Sequence, residues 1–486
     1  MGIYLSFALS NSVTQSEWEK VYEESLFLAK KLDFADWSQF SYRGINLHCF
    51  CKVKEHKELE NGEKVSHWRT SADYSYMSDA EEFWLCRKLR NKNYDKNAGA
   101  AILNVLPYCT KHDKDEAICN QAESYWGNKT QGYIYHAYLL GIACMMETRL
   151  KDKVFIYGDI KKEHCEFALD LINQFAKEPV DLPARCDFKR LYELVKPLEI
   201  SDEDKLLLME DTYLDDLDFD CGELIRKNFD KDSINLFWKN KFDKANLKNN
   251  KYNKALSNYI ALGFDFNDLF SFLSSYEENE YKDFISAVIE VKNENDSPIE
   301  NQFDEMCETI EKNIGDKIDV KKTFDEKLKD SKAYEENSFI ATIKKHMADE
   351  KAKAKEYEEK YDIYNEKQFI TFEKGQTFSP VLLENLKNTQ EFITKILEEQ
   401  DYKDLLQKKP DEQIKALIEL NQWFPVRDID WIHAIDYFEN HTDALSRYYP
   451  LFRMEIDHAT PYKGIAQALF INDAFYEFCK ELPCSD

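Results

Sequence analysis

Residues 133–146 read YIYHAYLLGIACMM, and every sector of a helical wheel drawn through them is apolar or aromatic. A half-solvated helix keeps one polar face, so this stretch predicts a helix packed on all sides at the centre of a domain. It is shorter than the ~20 apolar residues a bilayer span requires. Thr130 reads as its N-cap, and Arg149, Lys151 and Lys153 gather at the far end, where cations suit the helix dipole. Next outward, Val154 to Tyr157 is a short apolar run closed by Gly158 and Asp159, as in a buried strand that ends in a turn. Cys165, Ala168, Leu169, Ile172, Phe175 and Ala176 then recur at helical spacing, which predicts a helix laid over a sheet.

Toward the N-terminus, Ile3, Leu5, Phe7 and Leu9 alternate with polar or small residues and predict an opening strand. Thr14 and Glu17 form a capping-box signature for a helix running to about Leu32. Ile45, Leu47, Cys49, Cys51 and Val53 alternate again, as a strand with one buried face does. Asp79 to Leu89 reads as helical. The expected class is therefore α+β, mostly α: an N-terminal α/β domain over 1–185, with a small sheet around the buried central helix, followed by helical domains. An acidic helical domain is expected over 186–292, since Leu198 to Asp232 carries 13 acidic and 4 basic residues. A charged helical arm or linker follows over 293–366, where 34 of the 75 residues from Val291 to Asn365 are charged. An aromatic-rich helical bundle closes the chain over 367–486, its last helix expected from Tyr462 to Leu482.

The chain carries 65 basic and 92 acidic side chains, a formal charge of −27 that repels nucleic-acid phosphates and anionic membranes. Its first residues, MGIYLSFALS, lack the basic start and long apolar core of a signal peptide, which points to a cytoplasmic protein. In that compartment the 12 cysteines are thiols. Richness in Lys, Asn, Ile and Glu suggests an AT-biased, bacterial origin.

Few patterns carry chemistry. Cys49 and Cys51 continue the apolar face of Ile45 and Leu47, so they read as core thiols before they read as metal ligands; Cys109 and His112 form the other close pair. Gly127-Asn-Lys-Thr130 lacks the adjoining glycine and lysine of a phosphate loop, although Lys129 and Thr130 ahead of a helix suit an anion. Asp216, Asp218 and Asp220 begin like an EF-hand loop, but Cys221 and Lys227 stand where glycine and glutamate belong, leaving a solvated acidic turn. His136 reads as a hydrogen-bonded core residue. His433, His441 and His458, near Asp430, Asp436, Asp443 and Asp457, offer acid–base partners without a way to choose among them. No cofactor and no metal are expected.

The reading that follows is a non-catalytic interaction or scaffold protein whose acidic surface takes a basic or nucleic-acid-binding protein partner, without direct contact to nucleic acid or membrane. The alternative is an enzyme with its site at the end of the 154–157 strand, where Lys129, Thr130, Tyr157 and Asp159 are the candidate ligand-binding residues. A bacterial defence or immunity role is a third reading, resting on composition and domain mix alone.

Overall fold

The computed structural model describes residues 3–60, 63–90, 94–104, 122–244, 247, 250–273, 276–293, 303–336, 371–420, 424–454 and 462–482. Within them lie eight strands in two antiparallel sheets and 19 α-helices, so the chain is α+β and mostly helical. Among the described residues no helix is long and apolar enough to cross a membrane.

The first sheet sets β1 (Tyr4–Ser10) between β7 (Ala122–Lys129) and β8 (Val154–Gly158). Its alternation divides the core. Leu5, Phe7, Leu9, Val154 and Ile156 face one apolar cluster, while Ala8 and Phe155 face another. Gly158 is required where β8 leaves the sheet, because its φ is +125° and a Cβ there would stand 2.5 Å from the Tyr4 carbonyl oxygen.

The second sheet is ordered β3-β2-β5-β4, with β6 on the other edge of β5. Its strands are β2 (Phe34–Tyr42), β3 (Ile45–Lys52), β4 (His56–Glu60), β5 (Glu63–Asp73) and β6 (Asp79–Cys86). The helix expected over Asp79–Leu89 is thus a strand. Phe83 and Leu85 are buried opposite Thr70 and Trp68, and this cross-strand pairing outweighs the helix preference of Ala80, Glu81 and Glu82.

Between the sheets pack α1 (Gln15–Ala29) and α2 (Tyr135–Leu150), and α3 (Lys162–Ile172) packs against α2. Thr14 caps α1 with the full box: its N–H donates to Glu17 at 2.9 Å and its hydroxyl accepts from the Glu17 N–H at 3.3 Å. Trp18 is fully buried, and its indole N–H donates to the Cys86 carbonyl at 2.9 Å. Burial of a side chain of this size is worth about 3 kcal/mol. In α2, Leu139, Leu140, Ile142, Ala143, Cys144, Met145 and Met146 are all fully buried. Its start differs from the sequence expectation. The helix begins at Tyr135, because Gln131 and Gly132 turn the chain at positive φ, and the Thr130 N–H is taken by the Ile3 carbonyl at 2.8 Å. Thr130 is therefore not its cap.

After β8 no strand follows among the described residues. A first group of helices comprises α4 (Phe188–Val195), α5 (Asp202–Thr212), α6 (Phe219–Asn228), α7 (Lys231–Lys244), α8 (Asn250–Ala261), α9 (Phe266–Phe272), α10 (Glu278–Asn293), α11 (Phe303–Ile314) and α12 (Val320–Glu336). They share one apolar cluster that reaches the Ala8 and Phe155 face of the first sheet. Ile310, Ile314, Val320 and Phe324 belong to it, so α11 and the first turns of α12 pack against their neighbours. Residues 337–366 of the charged segment lie outside the described residues. Asp218, from the acidic turn, caps α6 by accepting from the Cys221 N–H at 2.9 Å.

The last group comprises α13 (Pro380–Glu398), α14 (Gln400–Leu406), α15 (Pro410–Leu420), α16 (Asp428–Asn440), α17 (Ala444–Arg453), α18 (Tyr462–Ile471) and α19 (Asp473–Glu481). The single helix expected over Tyr462–Leu482 is broken at Asn472, whose side chain caps α19. These helices bury Ala35, Leu47, Cys49, Phe50 and Cys51 of the second sheet. The chain ahead of α16 also lies along the β3 edge, where the Phe50 N–H donates to the Val426 carbonyl at 2.9 Å. Tyr74 donates to Asp428 at 2.6 Å, and Lys463, only 5% exposed, pairs with Asp79.

Candidate functional site

β8 is an edge strand, and an edge leaves backbone N–H and C=O groups unpaired. Two side chains cover this one. Glu147 accepts from the Ile156 N–H at 3.4 Å and the buried Arg185 donates to the Ile156 carbonyl at 3.3 Å. The other Glu147 oxygen accepts from the Ala184 N–H at 2.6 Å, which fastens the segment leading into α4. Arg185 also donates to the Thr212 carbonyl at 2.7 Å. Glu147 is 3% exposed, and burial pushes its carboxyl up to about 7 against the two N–H donors and the nearby Arg190 and Arg185.

Beyond Glu147 opens a cleft of about 680 Å³. Asp152, Asp181, Asp187 and Glu193 line it, with Lys151, Lys189 and Arg190 interspersed. Counting Glu147, five acids face three bases. Two of the rim groups are already engaged: Asp187 caps α4 through the Lys189 and Arg190 N–H groups, and Arg190 donates to the Leu182 carbonyl. A buried carboxylate of raised pKa in the lining of a concave, charged cleft marks a candidate ligand site.

The four residues expected from the sequence lie elsewhere. Three of them meet around Ile3 and Tyr4. Asp159 accepts from the Tyr4 N–H at 2.8 Å, the Thr130 N–H donates to the Ile3 carbonyl, and the Lys129 ammonium lies 5.4 Å from the Tyr4 ring centroid. Lys129 ends β7, five residues and more before α2 starts, so the pair does not sit on a helix N-terminus. Tyr157 stands apart and shares a 2.7 Å hydrogen bond with Ser124. None of the four lines the Glu147 cleft. Next to Thr130, His136 is a hydrogen-bonded core residue as expected: its Nδ1 lies 2.7 Å from the Thr130 hydroxyl, and burial lowers its pKa to about 4, helped by His164 and opposed by Asp159.

A second polar centre, which the sequence did not reveal, sits on the second sheet. Asp36 is 1% exposed and bonds His56 at 2.6 Å and Arg69 at 2.8 Å. Burial opposes its ionisation, but His56 and Arg69 outweigh that and hold its carboxyl below the usual range. In the closing bundle, Arg447 is 1% exposed and pairs with Asp473 at 2.6 Å, and His433 lies 3.4 Å from the same carboxylate. His441 stacks on Tyr437. His458, Asp457, Cys109 and His112 lie outside the described residues.

One signal for Glu147 was present in the sequence. It continues the apolar stripe of Leu140, Ala143 and Leu150 at helical spacing, one residue past the run quoted first. A charged residue on a buried stripe marks either a structural anchor or a site, and here it lies against both. Comparison with known families, curated proteins and solved structures returns no match for this chain.

Proposed function

We propose that the protein is a cytoplasmic, non-catalytic interaction protein whose Glu147 cleft and neighbouring acidic surface receive a basic segment of a protein partner. The observation that supports this reading best is the cleft itself, where five carboxyl groups around a concave floor outnumber three cations. The acidity continues beside it. The Leu214 N–H donates to the Arg185 carbonyl at 2.8 Å, which docks the 211–223 segment next to the cleft floor, and Asp211, Asp215, Asp216, Asp218, Asp220 and Glu223 are exposed there. A surface of this sign attracts lysine- and arginine-rich segments at long range and disfavours phosphate backbones. In this reading 1–185 forms the scaffold, 186–292 with 293–366 supplies the acidic face, and 367–486 braces the second sheet.

The test is fluorescence anisotropy of a labelled lysine-rich peptide and, separately, of a single-stranded oligonucleotide, at low and high salt. The peptide is expected to bind at low salt and to weaken about tenfold in the Asp152→Asn/Glu193→Gln variant, while the oligonucleotide does not bind. No peptide binding at low salt, or equal affinity for the rim variant, sinks the proposal.

A further inference from the structure

Cys49 and Cys51 stand on one face of β3, two residues apart, with their sulfur atoms 4.0 Å from each other. Both are buried free thiols, Cys49 fully and Cys51 to within 5%. Ser38 lies directly opposite Cys49 in the β2–β3 register and is 3% exposed, and its hydroxyl neighbours the Cys51 thiol without a regular hydrogen bond among the described residues. We propose that Cys49 and Cys51 form a two-thiolate site for a soft monovalent metal ion of the Cu(I) class, with the Ser38 hydroxyl as the adjoining weak donor.

The separation carries the argument. Two metal–sulfur bonds of about 2.3 Å, the length known for zinc thiolates, close a 4.0 Å gap at an angle of ~120°. Little rearrangement of β3 is needed, because the strand pleat already sends both side chains to the same side. Zinc fits poorly. It takes four ligands, and among the described residues no group of three or more His, Cys, Asp and Glu side chains converges here or elsewhere. Thiolates select soft ions, and two or three donors satisfy a monovalent one.

Asp428 and Asp430, at the start of α16, disfavour the Cys49 thiolate, and on Cys51 Asp428 and Lys54 act with opposite sign, so the metal itself must displace the thiol protons. Binding balances as Cu(I) plus two thiols giving one bis-thiolate complex of charge −1 and two protons released to water. Two S–H bonds break, two Cu–S bonds form and nothing is oxidised. Affinity therefore rises with pH, by about a hundredfold per unit while both thiols remain protonated in the free protein.

The experiment titrates the full, reduced chain anaerobically with Cu(I) against the chromogenic chelator bicinchoninate. The Cys49→Ser/Cys51→Ser double variant serves as the comparison, because it keeps every other thiol. The native protein is expected to hold one more Cu(I) equivalent than the double variant at matched chelator, and Ser38→Ala to weaken that equivalent roughly tenfold. Equal stoichiometry in the two proteins overturns the proposal. If circular dichroism shows the double variant unfolded, the single variants decide: each must lose the same equivalent, and retention by either overturns it. X-ray absorption of the native protein at one equivalent must show a sulfur shell, and a shell of nitrogen or oxygen alone also overturns it.

Discussion

The two sheets share one backbone geometry and differ in what covers them. The first is closed on both faces by helices, so Leu5, Phe7, Leu9 and Val154 to Ile156 are buried whichever way they point. The second is closed on one face by α1 and α2 and on the other by the last helices, but it keeps a charged centre at Asp36, His56 and Arg69 and an outward Trp84 that is 42% exposed. The difference teaches that the first sheet is held mainly by area removed from water, whereas the second also depends on a buried carboxylate shared by His56 and Arg69.

The sharpest break of that comparison is Phe155→Ala. It empties a fully packed position on the far face of the first sheet and should cost about 4 kcal/mol in urea denaturation, whereas Trp84→Ala on the second should cost under about 1 kcal/mol. Equal losses would mean that the two sheets are covered alike. Asp36→Asn comes next. It leaves His56 and Arg69 facing an uncharged amide and should cost about 3 kcal/mol at neutral pH. Because the native Asp36 pKa is depressed, that contribution is present above its unfolded value and is lost as pH falls through the folded one. The Asp36→Asn variant should accordingly lose less stability than the native chain on acidification below about pH 4.

Two buried groups near the first sheet sharpen the contrast through opposite pH windows. His136, lowered from 6.5 to about 4, takes its proton first in the unfolded chain, so its contribution is full above 6.5 and is lost as pH falls toward 4. Glu147, raised from 4.5 to about 7, keeps its proton longer in the folded chain, so its contribution is full below 4.5 and is lost as pH rises toward 7. These slopes oppose each other. Glu147→Gln should unmask the histidine, and stability measured from pH 6.5 down to 4 should then drop by about 3 kcal/mol more than in the native protein. Identical pH profiles would show that Glu147 does not titrate in this window. Asp159→Ala, which removes one exposed acceptor of the Tyr4 N–H, closes the series with an expected cost of about 0.5 kcal/mol.

What could be read from the sequence follows the same contrast. β1, β8, α1, α2 and α3 are legible because burial on both sides, or along one stripe, writes itself as apolar runs and helical spacing. β6 is misread, since Asp79-Ala-Glu-Glu carries helix formers and the partner that makes it a strand, β5, is set by tertiary pairing. β2, β4, β5 and β7 mix aromatic, charged and small residues in their strands, so no period stands out. The cleft is hidden for a related reason. Glu147 lies one residue beyond the apolar run, and the groups around it come from α2, the turn after it, the 181–184 link and α4, which local spacing cannot bring together.

The bond from Phe50 to Val426 has a practical consequence. The outermost strand of the second sheet is finished by backbone supplied from more than 370 positions later in the chain, together with the helices that hide Cys49 and Phe50. A fragment ending near residue 185 therefore carries a bare, greasy strand with open amides, a ready template for stacking on its own copies. Such a truncation should accumulate as insoluble aggregate, and supplying residues 371–482 as a separate polypeptide during synthesis should rescue it.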